Sequence, residues 1–242
     1  MCTVSFLPSH DRIWLTSNRD EHVLRAPASL PEVHEYASGK LLYPVDGKAG
    51  GTWVALHSNG NAMILLNGAY RRHVPQYPYR QSRGLVFLKI FDSADPKTAF
   101  EQVLLQDTEP FTLVIWHDGK LWEARWDGSD KYVMPCAVNL PHIWSSVTLY
   151  DEEVRAKRRE WFAAWQKKHP HPATEDLLHF HEFAGEGDEY NSLRMNRDGK
   201  LLTVSITCIE IMKDNATMHY KDLNAGLFSV NKWRMPGNLK TI

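Results

Sequence analysis

Met1-Cys-Thr-Val-Ser-Phe-Leu-Pro-Ser-His-Asp-Arg-Ile-Trp-Leu-Thr-Ser-Asn-Arg-Asp-Glu21 is the stretch on which the reading of this chain turns. Cys2 stands directly behind the initiator methionine, at the start of a segment that reads as a strand. The turn Pro8–Arg12 folds a second strand-like run, Ile13–Thr16, back along the first. That run ends in a polar block, Asn18, Arg19, Asp20 and Glu21. Cysteine is small enough for Met1 to be removed, which leaves a thiol and an α-amine of pKa about 7.7–8.0 on one residue. Such an amine can serve as general base for its own side chain. A cation and a carboxylate brought round by the turn, Arg19 and Asp20, would lower the thiol pKa and orient the thiol or the amine.

The same residues admit a plainer reading. A free cysteine is most often a small buried hydrophobe, and Arg19 with Asp20 would then be a surface pair of little energetic weight. Composition narrows the classes. With 242 residues the chain buries about 70% of its unfolded surface, and 1–242 reads as one domain. A net charge of −1 gives no field favouring nucleic acid or an anionic membrane. Cys2, Cys136 and Cys208 are odd in number and lack CxxC spacing, so a disulfide scaffold, a zinc site and c-type haem attachment are disfavoured. No run of 18 apolar residues occurs. The expectation is a soluble, cytoplasmic protein without membrane insertion.

Along the chain, Ala26–Pro31 reads as an extended connection and Lys40–Pro44 as a short strand. The Gly-rich loop Val45–Gly51 feeds a strand over Thr52–His57, and Ser58–Asn61 signals a hairpin to Ala62–Leu66. Gly68–Gln81 is a long polar loop carrying Arg71-Arg72-His73, residues suited to an anionic head group or simply to solvent. Ser82 and Asp95-Pro96 open two helices. Phe111–Trp116, Lys120–Trp126 and Lys131–Pro135 form a meander. Helices follow over Asp151–Lys168 and Thr174–Phe183, with Arg155–Arg159 read as a solvated helix face. His179 and His181 stand i,i+2 and point apart, against a metal site. Leu201–Ile211 and Ala216–Tyr220 form a last hairpin, and from Leu223 the tail shows no clear pattern.

Met1-Cys2-Thr3, Ser17–Glu21, Arg25, Gly50-Gly51-Thr52-Trp53, Leu66-Asn67 and Ser82-Arg83-Gly84 together resemble the NRDE family, that of the transport and Golgi organization 2 protein. The resemblance is good over the N-terminal third and loose beyond it. It implies an α+β fold, the four-layer αββα sandwich of N-terminal-nucleophile (Ntn) hydrolases, similar to choloylglycine hydrolases and penicillin acylases. Two antiparallel sheets would lie between helical layers.

It further implies Cys2 as nucleophile, Arg19 and Asp20 as organisers and Asn67 as oxyanion donor, with Asn18 and Arg25 near the substrate. Ser146 stands where related proteins carry a second asparagine, and Asn139 is the alternative. A late arginine of the related choloylglycine hydrolases has no clean match here, Arg194 and Arg197 being the two candidates. The expected function is a hydrolase or acyltransferase acting on a linear amide bond of a small molecule, without a cofactor. The other class is a non-enzymatic carrier of haem or an acyl-CoA.

Overall fold

The structure, a computed structural model, describes residues 3–75 and 78–235. In chain order the strands begin with β1 (Thr3–Pro8), β2 (Arg12–His22), β3 (Glu32–Tyr36), β4 (Gly39–Tyr43), β5 (Val54–His57) and β6 (Ala62–Asn67). Helices α1 (Arg83–Phe91) and α2 (Pro96–Gln102) precede β7 (Phe111–His117), β8 (Lys120–Trp126), β9 (Lys131–Cys136) and β10 (His142–Ser145). Then come α3 (Glu152–Lys168), α4 (Thr174–Phe183), β11 (Asn196–Arg197), β12 (Leu201–Met212), β13 (Asn215–Asp222) and β14 (Leu227–Arg234).

The strands form two antiparallel sheets, ordered β10-β1-β2-β12-β13-β14 (with β11 on β12) and β3-β4-β5-β6-β7-β8-β9. Period-two alternation sorts their side chains. Val4, Phe6, Ile13 and Leu15 of the first sheet meet Val54, Ile64, Leu66 and Trp116 of the second in one inner core. The opposite face of the second sheet packs Met63, Leu65 and Leu113 against Val86, Phe87 and Phe100 of α1 and α2. The opposite face of the first packs Leu7, Trp14 and Cys208 against Phe162, Leu177 and Phe180 of α3 and α4. The fold is thus the four-layer αββα sandwich of the Ntn-hydrolase type.

Helix starts follow their caps: Ser82 Oγ accepts from Leu85 N, Asp95 from Lys97 N and Thr98 N, and Asp151 from Val154 N. No described helix is long and apolar enough to cross a membrane. The strands β3, β10, β11 and β14 have no counterpart in the sequence pattern. β10 is only four residues long yet pairs with β1. β14 is an edge strand whose Leu227 and Phe228 are both exposed, so no clean alternation marks it. The basic cluster of α3 departs from the solvated face expected of it. Arg155 and Arg159 reach Glu152 in solvent, but Arg158 is fully buried.

Candidate active site

Cys2 lies outside the described residues. Thr3 is paired with Asn18, and β2 continues from there through Arg19, Asp20 and Glu21. The polar block therefore alternates. Asn18 and Asp20 face the helical layer, whereas Arg19 and Glu21 face a cleft at the end of the inner core. Arg19 and Asp20, both expected near the Cys2 thiol, do not share a face. They leave opposite faces of one strand, because successive strand residues must.

On the helical side, Asn18 donates to the carbonyls of His181 (2.9 Å) and Leu193 (2.7 Å), which leaves its Oδ1 to accept from His181 Nδ1 at 2.5 Å. His181 Nε2 then accepts from Ser5 Oγ at 2.7 Å. Burial, with the Arg158 charge second, brings the His181 pKa down to about 3, so the ring is neutral with its proton on Nδ1. Asn18 is thereby a buried latch between layers instead of a substrate contact. Asp20 accepts from Tyr150 Oη at 2.7 Å and from Thr203 Oγ1 at 2.5 Å.

On the cleft side, Arg19 is buried, lies over the Trp53 ring (4.5 Å) and donates to Asp46. Arg25 donates to both Asp46 oxygens (3.0 and 2.9 Å) and pairs with Glu21 at 3.3 Å. Burial pushes the Asp46 carboxyl up. Hydrogen bonds from Arg25 and the Ala49 amide, with the two arginine charges, outweigh that and hold it below the usual carboxylate range. Asp46 was not singled out by the sequence. Its signal was the loop itself, since it also accepts from Lys48 N and closes the turn before Gly51.

The cleft has a volume of about 600 Å³ and is walled by Arg19, Glu21, Arg25 and Asp46 on one side and by Ser82, Arg83 and Glu109 on another. Arg83 and Glu109 are themselves paired at 3.0 Å. Three arginines thus meet three carboxylates, leaving the cleft polar but without excess charge.

Asn67 closes β6 and lines both this cleft and a small neighbouring cavity of about 100 Å³. Its side-chain amide makes no hydrogen bond among the described residues, while its carbonyl accepts from Ser146 Oγ at 2.8 Å. Ser146 sits beside Asn67, and its one hydroxyl proton goes to that carbonyl.

The remaining sequence candidates fall elsewhere. Asn139 is exposed in the turn between β9 and β10. Arg194 pairs with Glu182 at 3.1 Å near Lys221, at an outer groove. Arg197 donates to the Leu149 carbonyl. Arg71 and Arg72 are exposed and line a separate surface pocket with Arg155. Cys208 is inert, because burial pushes its thiol up to about 12.

This architecture is similar to that of a Caenorhabditis elegans N-acylethanolamine-hydrolyzing acid amidase ortholog, at TM-score 0.60 and 12% identity over 86% of this chain and 92% of that one. It is also similar to an arginine-to-leucine variant of conjugated bile acid hydrolase from Clostridium perfringens, at TM-score 0.54 and 12% identity over 100% and 99% of the two chains. Likeness at that identity speaks to the fold alone. No curated protein sequence matches the chain. Residues 1–132 match the family described as Transport and Golgi organisation 2, more than half of the 242 residues, and the chain belongs to that family.

Proposed function

We propose that this protein is an Ntn-type hydrolase or acyltransferase that cleaves a linear amide bond of a small molecule, with Cys2 as nucleophile after removal of Met1. The observation that carries the proposal is Asn67: a side-chain amide with no partner among the described residues, at the wall of the cleft that Arg19 also lines. Both structural relatives are, by name, hydrolases of acyl conjugates, one of an N-acylethanolamine and one of a conjugated bile acid, which fits an amide substrate here.

In the proposed reaction the Cys2 sulfur attacks the amide carbon, and the thiol proton passes to the α-amine. The carbonyl oxygen becomes an oxyanion that accepts from the Asn67 amide. The amine nitrogen of the substrate takes the proton as the C–N bond breaks, leaving a thioester. Water, or a second amine, then attacks the thioester carbon and the sulfur recovers its proton. Asp20, fixed by Tyr150 and Thr203, orients the α-amine. Arg19 stabilises the thiolate, which requires the thiol on the inner side of the sheet that Val4 and Phe6 share.

A second reading, a carrier of haem or an acyl-CoA, draws on the engagement of Arg19 by Asp46 and of Ser146 by Asn67, which leaves fewer free donors for catalysis. An acylating activity probe with peptide-level mass spectrometry separates the two. The enzymatic reading expects protein lacking Met1 and labelled at Cys2, with no labelling of Cys2→Ala. Retained Met1, or an unlabelled Cys2 in folded protein that shifts the haem absorption band, moves the assignment to the carrier.

A further inference from the structure

We propose that Arg158 is the positioning residue of the site: from α3 it fixes Thr3, the residue joined to Cys2, and through Tyr150 it fixes the Asp20 carboxylate. The inference rests on the reading of Cys2 as nucleophile. Arg158 belongs to the basic run Arg155-Ala-Lys-Arg-Arg159, in which Arg155, Lys157 and Arg159 pair with Glu152 or Glu153 at the surface. Arg158 turns the other way and is 0% exposed.

Among the described residues, every hydrogen-bond partner it has there is neutral. Nη1 donates to Thr3 Oγ1, Nε to the Asn191 carbonyl at 3.1 Å, and Nη2 to the Asn191 and Ser192 carbonyls at 2.9 and 2.7 Å. The guanidinium centre lies 3.6 Å from the Tyr150 ring centroid. No carboxylate pairs with it among the described residues.

A buried cation without a counter-ion is costly, so an apolar side chain of similar volume would suit packing better. Packing alone therefore gives no reason for an arginine. What arginine supplies is a rigid fork of five donors. Here the fork ties three separate segments together: the start of β1, the Asn191–Ser192 loop, and, by its contact with the ring, Tyr150. The Tyr150 hydroxyl passes the constraint on to Asp20 at 2.7 Å. The titratable and charged groups around the guanidinium are Asp20 from β2, His181 from α4, Tyr150, and Arg197, which lies 5.2 Å from the same ring. The unbalanced charge next to Thr3 also favours the ionised thiolate and the neutral amine at the residue joined to it.

The test is alkylation of Cys2 by iodoacetamide as a function of pH in the full chain, read by peptide mass spectrometry so that Cys136 is scored separately. Arg158→Gln is expected to move the Cys2 midpoint up by about one pH unit, with roughly tenfold slower alkylation near neutrality. Arg158→Lys, which keeps the charge, is expected to recover most of the midpoint. Thr3→Val, which keeps the charge but cuts the tie, is expected to leave the midpoint in place and to slow acyl-probe labelling severalfold. Wild-type midpoints in folded Arg158→Gln and Arg158→Lys overturn the inference. Should Arg158→Gln not fold, unchanged probe labelling in folded Thr3→Val overturns it instead. The titration needs no turnover, so a wild-type thiol that titrates but is never acylated defeats the amidase reading and leaves the role of Arg158 to be decided by the midpoints.

Discussion

His181 and Asp46 are both buried titratable groups, but they respond to acid in different windows. His181 is neutral in the fold, with its pKa brought down to about 3 from the ordinary 6.5. The unfolded chain takes up that proton first, so stability is full above about pH 6.5 and falls as the pH drops toward 3. Asp46 is held below the ordinary carboxylate range, and its contribution is present above about pH 4 and lost only as the pH falls through its lower native value. Between pH 4 and 6 it is therefore the histidine, of these two groups, that contributes to the slope, alongside His57 and His219, whose burial also lowers their pKa. We expect stability from urea unfolding to fall by roughly 1.4 kcal/mol per pH unit more steeply in wild type than in His181→Asn, whose amide can still donate to Asn18. Parallel slopes for the two proteins would contradict the neutral assignment.

At the scale of elements, the Gly50-Gly51-Thr52-Trp53 loop and the start of α1 explain each other. A Cβ on Gly51 would lie 2.4 Å from the Gly84 carbonyl carbon and 2.6 Å from Leu85 N, and both are backbone atoms that cannot swing away. A Cβ on Gly84 would meet Thr52 O at 2.9 Å. This contact brings the Ser82–Gly84 helix start into the cleft wall. Gly51→Ala is expected to cost about 2–3 kcal/mol in unfolding experiments. Gly50→Asn is expected to cost under about 1 kcal/mol, because its backbone is left-handed (φ +68°) with open space around it. Equal costs would mean that the approach of the two segments is not what the glycine serves.

The motif residues were thus legible in the sequence as a set, and so were the capped helices, the meander and the turn at Pro8–Arg12. Their partners were not. Asp46 binds Arg19 across 27 residues, Thr203 binds Asp20 across 183, and Arg158 binds Thr3 across 155. No local pattern encodes such pairings, and in a basic run nothing distinguishes the one arginine that turns inward.

Across the whole molecule, the site groups gather where the sheet is most enclosed. β2 lies between β1 and β12, and its residues from Ile13 to Asp20 are all buried. β14, in contrast, has a neighbour on one side only and exposes Leu227, Phe228 and Val230. Hydrogen exchange followed by mass spectrometry should show Ile13–Thr16 exchanging more slowly than Leu227–Arg234 by about tenfold or more. Comparable rates would indicate that the sheet opens as one unit.

The alternation of the Asn18–Glu21 tetrapeptide carries a consequence for substitution within it. Its even positions are a fastener, closed on buried carbonyls, a histidine and a tyrosine; its odd positions are a lining, open to the cavity. Substitution at Glu21 would therefore alter the cavity wall, whereas substitution at Asn18 would open the tie between the first sheet and α4. A tetrapeptide that looks like one signature is two, one for each face of the strand.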